Sequence, residues 1–320
     1  GDKAQWSELD VSLHEYAGQI VTLELAASKT TGTGRLLYGD PAVFVPKIEQ
    51  SKTPKARAVV IVVLDGVERS ELPPWRGTET PHLPTLNRLA KESTVFEAHR
   101  AASTLVAASV ATLLTGKSPR GHALLDSGAK LPAKIATIGD MARDASVRSA
   151  MFTGVPHTFE AFGFKTHWES FTQFPPNEGR RASAPLDDAA KWLTDAPKRA
   201  EGRPQLVVIH TRGGHPPWDI TPPEAAKLPP PNYTGYLRPR DAAQRIAELQ
   251  GRHTRLSEAD HERLRALFLA GLNGQDAAIG KLIESLKEAG RWDDTLFIVT
   301  GDVSSGRRFL FGDGLPLDEE

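Results

Sequence analysis

Cysteine is absent from all 320 residues. That excludes disulfide staples, thiolate nucleophiles and thiolate metal ligands, although it does not identify a compartment. Charge of one sign is missing too. Its 39 Lys and Arg offset 40 Asp and Glu, leaving a net charge of −1. A chain so balanced has no basic surplus for a phosphate backbone or an anionic bilayer, so nucleic acid is not an expected partner. No apolar run approaches the ~18 residues needed to span a bilayer, so no transmembrane segment is expected. No internal repeat is visible. What remains, 39% hydrophobic and 25% charged residues, fits an ordinary globular protein. Its length calls for a large domain plus a smaller addition.

The most informative stretch is Ala58 to Gly66, Ala-Val-Val-Ile-Val-Val-Leu-Asp-Gly. An unbroken, β-branched apolar run fits a central strand of a parallel sheet, buried on both faces. Ligands of open α/β sheets bind at the carboxyl ends of strands, where Asp65 falls, and Gly66 permits close approach. The plainer reading of Asp65 is a loop cap.

Before this strand, Trp6 to Phe44 alternates (Leu9, Val11, Leu13; then Val21, Leu23, Leu25) between glycine-containing turns. It reads as three or four short strands, a small β-rich module or fragment over 1–46. Residues 47–57 turn to Pro, Lys, Gln, Ser and Thr and read as a linker. The α/β domain is expected over 58–320. Within it Pro84 to Lys91 reads as a short amphipathic helix. Leu105 to Thr115 reads as a buried helix with Ser103 or Thr104 at its N-cap and Gly116 at its end. Ile135 to Asp144 reads as a helix and Val147 to Thr153 as a strand. Gln205 to His210 is a second apolar strand, leading to Gly213-Gly214-His215-Pro216-Pro217-Trp218. The proline-rich Asp219 to Leu256 reads as a long loop, either a lid or a surface excursion. Ser257 with Asp260 forms a capping-box pattern, and helical spacing then runs through Leu286 to Gly290. Leu296 to Thr300 is a third apolar strand, followed by Gly301-Asp302.

Three strand ends thus carry polar groups: Asp65, His210 with His215, and Asp302. On parallel neighbours they would meet at one rim. Carboxylates with imidazole suit one divalent metal, Ca or Mg through oxygen, Mn or Zn where nitrogen joins. Taken singly, each histidine reads as a hydrogen-bonded structural residue.

Val-Val-Leu-Asp-Gly, then Thr80-Pro81-His82-Leu83 with Leu86-Asn87-Arg88-Leu89-Ala90, then Leu113-Leu114-Thr115-Gly116 with Pro119 and His122 resemble the opening of a sulfatase of the alkaline-phosphatase superfamily. His215-x-Pro217-Trp218, Gln275-Asp276-x-x-Ile279-Gly280 and Asp294-Thr295-Leu296 to Gly301-Asp302 resemble later signatures of that family. The resemblance implies a mostly parallel sheet flanked by helices, and hydrolysis or transfer of sulfate or phosphate esters. It matches Asp65 and Asp302 to metal ligands, with Ca or Mg favoured, and His215 to the histidine that contacts the transferred group. Its substrates imply a sulfate- or phosphate-ester small molecule or glycan as partner.

The departures bear on activity. The family's nucleophile lies ten residues before the Gly of Leu-Leu-Thr-Gly, which here is Val106, an isopropyl group. The Cys-x-Pro-Ser-Arg box reads Val106-Ala107-Ala108-Ser109-Val110, so no formylglycine is expected and the arginine is missing. The Asp-His pair reads Asp302-Val303, and a later Gly-His-Gly reads Gly312-Asp313-Gly314, where Asp313 is a candidate ligand. The balance favours a degenerate relative that keeps the scaffold for binding or assembly and does no chemistry. The alternative is an active ester hydrolase with Thr104 or Ser103 displaced into the nucleophile role. Lys117, Arg120, His122 and Arg212 are expected to play structural or solvated roles. The chain opens on Gly1-Asp2-Lys3, compatible with a removed leader and a periplasmic or extracellular protein, and the domain is expected to be incomplete at its C-terminal end.

Overall fold

A computed structural model describes residues 10–16, 21, 22, 24, 56–75, 83–179, 181–195, 202–251 and 256–303. The chain divides into two compact units, Gly1–Thr53 and Pro54–Glu320. In the first, His14–Tyr16 forms a 3-10 turn. Asp10 to Leu13, expected as part of a strand, is not one. Its alternation finds no ladder partner among the described residues, and Val11 is exposed. The other expected strands of this module lie almost wholly outside the described residues.

The second unit is built on five parallel strands: β1 (Ala58–Leu64), β2 (Arg148–Thr153), β3 (Ser170–Gln173), β4 (Gln205–Thr211) and β5 (Thr295–Gly301). Their order is β3-β2-β4-β1-β5, all pairs parallel. The expected α/β class and parallel central sheet are therefore present. β1 pairs with β4 on one side and β5 on the other, with Leu64 level with both Thr211 and Gly301. The chain runs outward from β1 to β2 and β3, returns through β4, then crosses β1 to reach β5. Such a reversal of strand order is where open α/β sheets bind ligands.

Alternation along the strands separates two cores. Val60, Val62 and Leu64 of β1 join Val207 and Ile209 of β4 on one face. On the other, Ile61 and Val63 meet Val208 and Met151. Four β1 side chains (Val60, Val62, Val63, Leu64) are 0% exposed, each contributing about 1.5–3 kcal/mol by burial. The first face is covered by α1 (Pro84–Glu92), α5 (Ala184–Thr194), α7 (Ala242–Gly251) and the long α8 (Glu258–Glu288). The second is covered chiefly by α2 (Val106–Thr115). The short helices α3 (Pro119–His122), α4 (Ile138–Asp144) and α6 (Pro222–Ala225) close the loops.

α8 starts where its capping box indicates: Ser257 Oγ accepts from Asp260 N–H, and the Asp260 carboxylate accepts from Ser257 N–H. α2 departs from expectation by a residue. Its N-cap is Leu105, and Ser103 Oγ instead accepts from Leu105 N–H in a turn just upstream. Leu105 packs against the second core, so burial fixes the start of the helix where a hydroxyl was expected to. The expected proline-rich loop holds α6 and α7 and anchors on α8, where Tyr233 O–H donates to Asp260 and Arg263 donates to the carbonyls of Ala225 and Leu228.

Candidate functional site

The level ends of β4, β1 and β5 place His210, Asp65 and Asp302 side by side. Each offers one ligand atom within 4.8 Å of the other two. All three residues are buried, at 0%, 4% and 2% exposure. An unpaired carboxylate at such depth would be costly, so the partners of each oxygen matter.

Asp302 is fully paired. Its Oδ1 accepts from the backbone N–H groups of Gly66 (3.0 Å) and Val303 (2.6 Å), and its Oδ2 lies 2.9 Å from His210 Nε2. Burial alone would raise its pKa, but the imidazole and the two N–H donors outweigh it and hold the carboxyl below its ordinary value. Asp65 is only half paired. Its Oδ2 lies 2.7 Å from His215 Nδ1, while the buried Oδ1 has no hydrogen-bond partner. Burial pushes its carboxyl above the ordinary range, with Asp302 adding repulsion and His215 offsetting part of the rise. His215 is pulled down by burial, but the Asp65 carboxylate overrides that and raises it.

Two glycines make this geometry possible. Gly66 has φ +64°, and a Cβ there would sit 2.5 Å from the His215 ring. Gly213 has φ +52°, and its Cβ would overlap the Asp65 carbonyl oxygen. Arg212 closes the intervening loop. Its carbonyl accepts from His215 N–H at 2.8 Å and its guanidinium donates to Pro217 O at 3.0 Å. Trp218 plugs the loop onto α8, its indole N–H donating to Gly214 O.

The donor set fits a divalent cation: two carboxylates, one imidazole, and a buried carboxylate oxygen in want of a partner. A bound cation would supply the missing partner of Asp65 Oδ1.

Asp65, His215 and Asp302, expected together, are together. His210, expected at the same rim as one of its imidazoles but not matched to a ligand by the family resemblance, is the histidine whose ring nitrogen falls within reach of both carboxylates. Asp313 lies outside the described residues. Thr104 is exposed and Ser103 is half-buried, and neither hydroxyl is hydrogen-bonded to the cluster. The connection to α2 comes from Ser109, whose hydroxyl donates to the Asp302 carbonyl. His122, as expected, is structural: its Nε2 lies 3.0 Å from Thr112 Oγ1 and its Nδ1 accepts from Leu124 N–H. Lys117 and Arg120 are exposed. Among the described residues no helix is long and apolar enough to cross a membrane.

Comparison with solved structures finds the same fold at low identity. Phosphonate monoester hydrolase of Agrobacterium radiobacter superposes with a TM-score of 0.58 at 17% identity, over 77% of this chain and 62% of that one. BT4656, solved in complex with its substrate D-glucosamine-2-N,6-O-disulfate, gives 0.61 at 17% identity, over 78% and 65%. The lipoteichoic acid synthase LtaP from Listeria monocytogenes gives 0.50 at 16% identity, over 78% and 56%. The chain thus spans less than two thirds of each. A comparison with curated proteins finds no match. The family model described as Sulfatase matches residues 57–307, the stretch that contains every strand of the sheet. On that match the chain belongs to the sulfatase family.

Proposed function

We propose that this domain holds one divalent cation at Asp65, His210 and Asp302 and binds a sulfate or phosphate ester of a small molecule or glycan there without turning it over. The observation that carries the reading is the contrast between two ends of one site. Asp65, His210 and Asp302 are assembled and buried. The first residue of α2, the helix tied to Asp302 through Ser109, is Val106, which has no lone pair with which to attack. A mixed oxygen and nitrogen donor set moves the choice of metal from Ca or Mg toward Mn or Zn. When bound, such a cation supplies positive charge against the ester oxygens. The chain's own part is to orient. His215, braced on Asp65 and partly exposed on its other side, is placed to donate to a bound anion.

A second reading, turnover through Thr104 or Ser103, draws on the exposed hydroxyl of Thr104, two residues before Val106. One experiment separates them. Metal content by mass spectrometry, wild type beside Asp302→Ala, should show about one equivalent in the first and little in the second. Aryl sulfate, phosphate and phosphonate esters should then show no turnover above buffer. Turnover lost on both Asp65→Ala and Thr104→Ala would establish the second reading instead. A wild type that takes up none of the four metals would overturn the cation site itself.

A further inference from the structure

His210 has a second ring nitrogen, and its surroundings are unusual. Nδ1 lies 2.9 Å from Thr158 Oγ1, which lies 2.7 Å from Thr153 Oγ1. All three residues are 0% exposed. The Val155 carbonyl is a further acceptor within reach of Thr158 at 3.1 Å. Val155 N–H donates to Thr153 Oγ1 at 3.2 Å.

The protons can be counted. A neutral imidazole has one N–H, and each hydroxyl has one O–H and can accept twice. With the proton on Nε2, the ring donates to Asp302 Oδ2, Thr158 donates to Nδ1, and Thr153 donates to Thr158. With the proton on Nδ1, the ring donates to Thr158, Thr158 turns its O–H to the Val155 carbonyl, and Thr153 still donates to Thr158. Every donor on the Nδ1 side is satisfied in both arrangements. The difference lies on the other side, where the second arrangement points an Nε2 lone pair at a carboxylate oxygen 2.9 Å away. Two acceptors at that distance repel unless a cation lies between them.

We infer that Thr158 is a positioning residue that allows His210 to exchange tautomers. It donates to Nδ1 while Nε2–H rests on Asp302, and it accepts from Nδ1–H once Nε2 is given to a divalent cation. The ring carries one proton in both states; the proton leaving Nε2 and the one arriving at Nδ1 exchange with solvent. A hydroxyl is the group for this role because it can reverse direction, whereas a carbonyl or an amide N–H would fix one tautomer. The inference rests on the cation reading given above.

The test uses the whole chain with zinc as the probe, measured by calorimetry and by 15N spectra of histidine-labelled protein. Thr158→Val keeps the shape and removes the hydroxyl; it should weaken zinc binding about 10- to 100-fold. Thr158→Ser should restore most of the affinity. In wild type the ring should carry its proton on Nε2 without zinc and on Nδ1 with it. A Thr158→Val protein that binds zinc as wild type does, or a Thr158→Ser protein as weak as Thr158→Val, overturns the inference. So does a zinc-free spectrum with the proton already on Nδ1, which decides the matter even if Thr158→Val fails to fold. A wild type that binds no zinc removes the cation reading and this inference together, whereas equal binding by wild type and Thr158→Val removes the inference alone.

Discussion

Replacing Asp276 by alanine should uncap a helix to which Asp276 does not belong. The residue lies within α8 and is 1% exposed, yet its Oδ2 accepts from Thr85 N–H at 3.1 Å and its Oδ1 from Leu86 N–H at 2.8 Å. These are first-turn donors of α1, whose own N-cap, Leu83, provides no side-chain acceptor. Hydrogen bonds to a charged group contribute about 1.5–3 kcal/mol each, and buried donors left unpaired cost a similar amount. Asp276→Ala should therefore lose about 3–5 kcal/mol. Asp276→Asn, which keeps one oxygen acceptor but turns an NH₂ group toward the other N–H, should lose about half as much. Against a total stability of about 5–15 kcal/mol, the alanine effect is large enough for a clear shift of the urea midpoint. Hydrogen exchange adds a local readout, since the Thr85 and Leu86 amides should exchange faster than amides of β1 in the same protein. An alanine variant within about 1 kcal/mol of wild type would show that α1 is held by packing alone and would refute the capping argument.

Three further substitutions probe the same logic elsewhere. Burial works against the charge of Asp140, but Thr137 N–H and the His167 imidazole at 2.7 Å override it and hold the carboxyl below its ordinary 3.8. A depressed carboxylate stabilises the fold fully above its unfolded pKa and loses that contribution as pH falls through the folded one. The urea stability gap between wild type and Asp140→Ala, about 1–2 kcal/mol at neutral pH, should thus stay flat down to about pH 4 and narrow below it. Gly66→Ala forces a left-handed φ costing about 1–2 kcal/mol and drives Cβ into the His215 ring, so the His215 ring resonances should shift; unchanged resonances would contradict the packing. Ser109→Ala should cost about 1–2 kcal/mol in urea and weaken metal uptake, because the Asp302 carbonyl loses its buried donor.

Much of this architecture is legible in the sequence. β1, β4 and β5 announce themselves because strands buried on both faces need unbroken apolar runs, and α8 because its cap and period agree. β3 and α5 carry no comparable signal. Four residues at a sheet edge, Ser170–Gln173, leave no run to detect. In α5, Ala and Asp alternate with the core positions Leu186, Ala189 and Leu193 too weakly to stand out. The strand-end carboxylates were legible because each ends an apolar run. Thr158 was not, since a hydroxyl on a 3-10 turn after β2 carries no periodic signal and finds His210 only through folding. His210 was visible but undervalued, because the sequence does not reveal that its ring faces Asp302 rather than the core.

The in-register β4-β1-β5 triplet also dictates when the site comes into being. Gly66 and Asp302 are 236 positions apart yet hydrogen-bonded, so the rim is closed by one of the most sequence-distant contacts among the described residues. Pairings of such separation form late, after much loop entropy has been lost. Until β5 docks, Asp65 and His210 have no Asp302 carboxylate beside them, so the three-residue ligand set is assembled only with that strand. β5 is one of the two edge strands of the sheet among the described residues, β3 being the other, and Leu296 and Ile298 are exposed along it, so it has a partner on one side only and can peel away from β1. A cation shared between Asp65 and Asp302 would fasten that edge to the centre and slow its departure, making ion occupancy a brake on the opening of that side of the sheet.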